Sequence, residues 1–130
     1  MRRSSLAFLL ASTIAWQGCS DRPVTDDVDN LRELCIERCN VSFECGINTS
    51  NSQEECVAGC VPRVRESLAT CAEDIELSWC WAQLSCSEVE SYEIAFFEFF
   101  ETLEYPEEFP CREQFIAYMD VCVGIDELLR

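Results

Sequence analysis

Eleven cysteines are the residues of this 130-residue chain whose type and spacing could do chemistry. Thiols form disulfides, bind soft metals, exchange with other disulfides or take a lipid, and spacing decides among these fates. No pair stands in a CxxC arrangement, so the thioredoxin-like exchange motif is missing. Histidine is absent, which removes the commonest general base and a common zinc ligand. Serine nucleophiles therefore have no imidazole to activate them, and no catalytic residues, metal or cofactor are expected. A metal- or thiol-active protein working through cysteine alone is the weakest of three function classes. Because eleven is odd, one thiol cannot pair within the chain. Cys19 stands apart, 16 residues ahead of Cys35.

The most specific internal signal is Cys35-Ile36-Glu37-Arg38-Cys39 followed by Cys56-Val57-Ala58-Gly59-Cys60. Cysteines at i and i+4 project from one face of a helix. In an antiparallel hairpin, facing levels share a constant sum of residue numbers. Cys35 with Cys60 and Cys39 with Cys56 both add to 95, so the spacing predicts two rungs, Cys35–Cys60 and Cys39–Cys56. The remaining Cys45, Cys71, Cys80, Cys86, Cys111 and Cys122 admit fifteen pairings on count alone, and their pairing stays open. Cys111 and Cys122 fall on one helical face roughly 16 Å apart, too far for a mutual bond. Each should tie the last helix to something earlier. Cys45 could meet Cys86 if the third helix returns beside the second, and Cys71 could reach Cys80 across a turn.

Residues 35–60 are similar to the twin CX3C helical hairpin of small mitochondrial intermembrane-space chaperones, with Cys45 inside the loop as a departure from that pattern. The longer series through "CWAQLSCSEVE" resembles the small cysteine-rich lipoproteins of myxobacteria over about residues 31–111. That resemblance implies an exported protein and carries no assigned activity.

The elements that must hold these thiols are helical. Period-2 alternation is lacking, whereas Leu31, Cys35, Cys39 and Ser42 recur at three- and four-residue steps from Asp27 to about Phe43. Ser52 with Glu55 matches a capping box opening a second helix, which Pro62 should kink or split near Cys60. A third helix is expected from about Glu73 to Leu84. A fourth should start from a second capping box at Ser87–Glu90 and run to Pro106, and a fifth from Arg112 to about Val123. The fold class is all-α: a disulfide-stapled bundle of four to five short helices containing a twin CX3C antiparallel hairpin.

The N-terminus reads as an export signal. A basic start, Arg2-Arg3, precedes the apolar run "LAFLLASTIAW", too short for the ~20 residues that span a bilayer. Gly18-Cys19-Ser20 resembles the end of a bacterial lipobox, in which the cysteine is acylated and becomes the new N-terminus; Trp16 departs from the usual leucine. Residues 1–18 are thus expected to be a lipoprotein signal peptide, Cys19 the lipidated residue, 19–30 an acidic tether, and 31–130 the cysteine-rich domain. Ser20 in the second position points to the outer membrane, facing the periplasm or the surface, with the lipid as membrane partner. Ten cysteines then remain, an even set in the oxidising compartment that disulfide scaffolds need.

Seven basic against 25 acidic residues would leave a net charge of −18 after processing, which disfavours nucleic acid as a partner. "DDVDN" at 26–30 lacks the glycine and terminal glutamate of a calcium loop. One stretch could carry binding of a protein or amphipathic ligand: "YEIAFFEFFETLEY". Val89, Tyr92, Phe96, Phe99 and Leu103 form an apolar seam suited to the core, while Phe97 and Phe100 widen it and Glu90, Glu98, Glu101 and Glu104 fill the other side. Tyr92, Phe96, Phe97, Phe99 and Phe100 are the candidate binding surface. The leading expectation is a non-enzymatic, membrane-anchored structural or interaction module of the cell envelope. The alternative is a holdase-like module that binds clients through this aromatic helix.

Overall fold

The computed structural model describes residues 28–130. The expected signal peptide, lipidated Cys19 and most of the tether lie outside the described residues. Among the described residues the chain forms α1 (Val28–Glu44), α2 (Gln53–Thr70), α3 (Ala72–Trp81), α4 (Cys86–Thr102), α5 (Arg112–Tyr118) and α6 (Ile125–Leu128). A π-helical turn, Met119–Val123, joins α5 to α6. No strand occurs among them, and no helix there is long and apolar enough to cross a membrane. The protein is an all-α, disulfide-stapled bundle. Residues 28–30, expected to belong to the tether, are the first turn of α1.

Local chemistry explains the helix ends. Gly46, at φ +70, terminates α1 in a Schellman motif: its N–H reaches the Phe43 carbonyl at 3.2 Å, and the Ile47 N–H reaches Ser42 at 2.9 Å. Ser52 caps α2 as expected, its hydroxyl accepting the Glu55 N–H at 3.1 Å. The Glu55 carboxylate turns to the Asn51 N–H instead, so only half of that box forms. Pro62 does not split α2, which continues unbroken to Thr70. Proline removes the donor to the Ala58 carbonyl, but Ala58 and Pro62 both lie on the exposed face, where water can satisfy that oxygen.

The start of α4 corrects the expected register. Its cap is Ser85, not Ser87, and the reciprocal partner is Glu88: the Ser85 hydroxyl accepts the Glu88 N–H at 3.3 Å, and the Glu88 carboxylate accepts the Ser85 N–H at 2.8 Å. Those bonds hold the Glu88 carboxyl below its usual range, backbone bond first. A depressed carboxylate contributes stability above its unfolded pKa and loses it as pH falls through the folded value. Ser85→Ala is therefore expected to lower stability by about 1 kcal/mol at neutral pH. The deficit should shrink in acid, measured by denaturant midpoints at both pH values. The other end also differs, because α4 stops at Thr102, with Leu103 in the left-handed region at φ 58, before reaching Pro106. At the C-terminus, the helix expected from Arg112 to Val123 is α5 continued by the π turn, and a short α6, set off by Gly124 at φ +68, follows beyond it.

Two apolar clusters share α3 as a common wall. Ile75 and Ala82 face one formed with Leu31, Leu34, Val57 and Val64 of α1 and α2. Leu77 and Cys80 face the other, built around Phe99, Phe115, Met119 and Ile125. Five disulfides lock the arrangement. Cys35–Cys60 and Cys39–Cys56 form the two expected rungs between α1 and α2, with Cα atoms 5.7 and 6.0 Å apart. Cys45–Cys86 ties the end of α1 to the start of α4. Cys71 and Cys80 do not bond each other; the pairs are Cys71–Cys122 and Cys80–Cys111. The reason is that α3 runs unbroken between them, and nine residues of helix separate Cα atoms by roughly 13 Å. Both bridges from the ends of α3 therefore reach forward, Cys80 to the start of α5 and Cys71 to the π turn.

Candidate docking surface on the fourth helix

Helix α4 is held to the body by aromatic rings on one side and by Cys86 at its start. Val89, Ala95 and Phe99 are buried, and Tyr92 and Phe96 are half-buried. Phe115 of α5 receives this face, with ring centroids 6.1 Å from Tyr92, 5.8 Å from Phe96 and 5.5 Å from Phe99. Phe99 also stacks on Tyr105 at 4.6 Å. Of the five residues expected to form a binding surface, Tyr92, Phe96 and Phe99 thus build the core.

Phe97 and Phe100 turn outward, 66% and 49% exposed. Sequence periodicity left one further exposed residue unassigned and misplaced another. Ile94 is 61% exposed, and Leu103, expected in the buried seam, is 46% exposed. Leu103 leaves the seam because it sits past the helix end, where the left-handed cap redirects its side chain. Phe100 rests against Phe96 at 4.8 Å and Phe99 at 5.2 Å, and Phe97 meets Phe96 edge-on at 5.8 Å. The outer rings are thus braced by the inner ones. Glu90, Glu93, Glu98, Glu101 and Glu104 are all exposed around them, and α4 carries no basic residue.

Burial lifts the Tyr92 phenol to about 12, and burial followed by Asp120 does the same for Tyr105, whose hydroxyl donates to that carboxylate at 3.2 Å. A phenol raised above its unfolded value near 10 favours folding below pH ~10, and that contribution disappears as pH climbs through the folded value. The oxidised protein should therefore lose stability between about pH 10 and 12, in step with tyrosine ionisation followed by ultraviolet absorbance. Two tyrosines ionising at their free values would contradict this packing.

Other groupings serve structure. The ligand atoms of Cys71, Glu73 and Cys122 lie within 4.8 Å of one another, but the two sulfurs are bonded together, and metal binding requires thiolates. An open cleft of about 550 Å³ along α1 and α2 is lined by Arg38, Arg63, Glu66 and Asp74 among hydroxyl side chains. Arg38 donates to the Ser78 hydroxyl at 3.2 Å and lies 5.5 Å over the Trp81 ring. Burial lowers its pKa, with Asp74 opposing through space. It pins α1 to α3.

Comparison with protein-family models, curated proteins and solved structures finds no match to the chain.

Proposed function

We propose that this protein is a non-enzymatic lipoprotein of the bacterial cell envelope, anchored to the outer membrane through Cys19 and presenting a disulfide-stapled helical body as an interaction module. One observation carries the proposal: the body uses all ten of its cysteines in five internal bridges, so Cys19 is the one cysteine left for another purpose. Its place after Gly18, behind a basic and apolar leader, makes acylation that purpose. Two or more acyl chains give durable anchoring, at about 0.8 kcal/mol per buried methylene. The surface that meets partners is the outer face of α4, supported by the exposure of Phe97 and Phe100. The same exposure supports the second reading, a holdase-like module that takes clients without charge selection.

Intact-mass measurement on membrane-extracted protein tests the anchor and the scaffold together. The expected mass is that of residues 19–130 plus the lipid, less the hydrogens of five bridges. A retained leader would overturn the anchor. Several free thiols would overturn the scaffold and revive a thiol- or metal-active role.

A further inference from the structure

We infer that the partner docking on α4 is a basic amphipathic helix of another protein. This rests on α4 being the docking face and adds which chemistry that face selects. Ile94, Phe97 and Phe100 follow one another at three-residue steps within α4 and are all exposed, so they form a single apolar ridge, with the exposed Leu103 just past the helix end. Six residues of helical rise make it roughly 9 Å long. A ridge of i±3n side chains is what packs into the i±4n grooves of a second helix, near a +20° crossing. A strand would present side chains at the wrong period for it.

The flanks supply the charge rule. Helical neighbours at ±4 are Glu90 and Glu98 for Ile94, and Glu93 and Glu101 for Phe97. Glu104 follows just beyond the helix end, where the negative end of the helix dipole adds to the field. Each of the first two apolar knobs therefore sits between two carboxylates, and a facing helix needs arginine or lysine on both sides of its apolar stripe. Beside Ile94 a hollow of about 520 Å³, walled by Pro106, Phe109 and Pro110, gives the partner a place for a larger side chain. A second copy of this chain would set these glutamates against each other, and anionic headgroups meet the same repulsion.

The test uses the oxidised protein with two synthetic helices of equal length and identical apolar stripe, one with lysine and one with glutamate on the polar face, and an environment-sensitive hydrophobic dye. The lysine helix should bind at least about tenfold more tightly than its acidic twin, and its affinity should fall with added salt. Phe97→Ser with Phe100→Ser should weaken it by about tenfold or more, with the circular dichroism unchanged because both side chains are already exposed. Glu93→Gln with Glu101→Gln should narrow the preference between the two helices while dye binding persists. If the dye and both helices fail to bind, α4 is not a docking face at all. If the dye binds and the helices bind equally, the face stands and the charge selection is wrong. Binding to anionic vesicles, or salt-insensitive dimerisation in sedimentation, would give the face to a lipid surface or a second copy and overturn the inference.

Discussion

Reduced with a strong thiol in native buffer, the body is expected to lose most of its helical circular dichroism and its cooperative thermal transition. The closed segments range from 17 residues for Cys39–Cys56 to 51 for Cys71–Cys122. Loop-closure entropy assigns each bridge about 3–4 kcal/mol, less where one loop lies inside another. Net stabilities of domains this size are about 5–15 kcal/mol, so even a heavily discounted sum from five bridges is comparable with the whole. The apolar clusters cannot replace them. In the first, Cys35, Cys39 and Cys60 are themselves core residues, so reduction loosens packing as well as tethering. The strongly negative charge, −16 over the full chain, opposes compaction once the links are cut. A reduced, alkylated protein that keeps its full helical signal and a sharp melt would show that packing alone suffices.

The second large effect is local. Phe115 is fully buried, and its ring centroid lies between 5.5 and 6.1 Å from those of Phe99, Phe109, Phe96, Tyr92 and Tyr105. Truncating such a side chain costs about 3–5 kcal/mol through lost transfer energy and the cavity left behind. Phe115→Ala should therefore lower the denaturant midpoint of the oxidised protein strongly, while the two rungs keep α1 and α2 together. Amide exchange should quicken in α4 and α5 and remain slow in the first hairpin, because α4 reaches the body mainly through these rings. Phe115→Leu should recover a good part of the loss. A midpoint change worth less than about 1 kcal/mol would mean that the ring cluster is not what holds α4.

Much of this architecture was legible because helical spacing is a strong constraint. The CX3C pairs could be matched from residue numbers alone, since i and i+4 fix a face and an antiparallel hairpin fixes the partner level. Cys71–Cys122 and Cys80–Cys111 were not legible, because they depend on how α3 packs against α5, which no local spacing encodes. The cap of α4 lies two residues before the expected one because Ser85 and Ser87 each have an acid three positions on. Their local sequence does not distinguish them. On the candidate surface, periodicity found the inward Phe99 and the outward Phe97. It overlooked Ile94 and misassigned Leu103, whose side chain is aimed by a left-handed backbone rather than by the helix.

The order of the bridges along the chain bears on how the protein is made. Cys39–Cys56 lies inside Cys35–Cys60, Cys80–Cys111 lies inside Cys71–Cys122, and Cys45–Cys86 crosses between the two nests. On the proposed export route, sulfur atoms enter the oxidant in numerical sequence, so Cys35, Cys39 and Cys45 meet one another before any native mate arrives. Maturation thus calls for a catalyst that shuffles sulfur linkages, and cells deficient in that catalyst should accumulate scrambled isomers of unchanged mass.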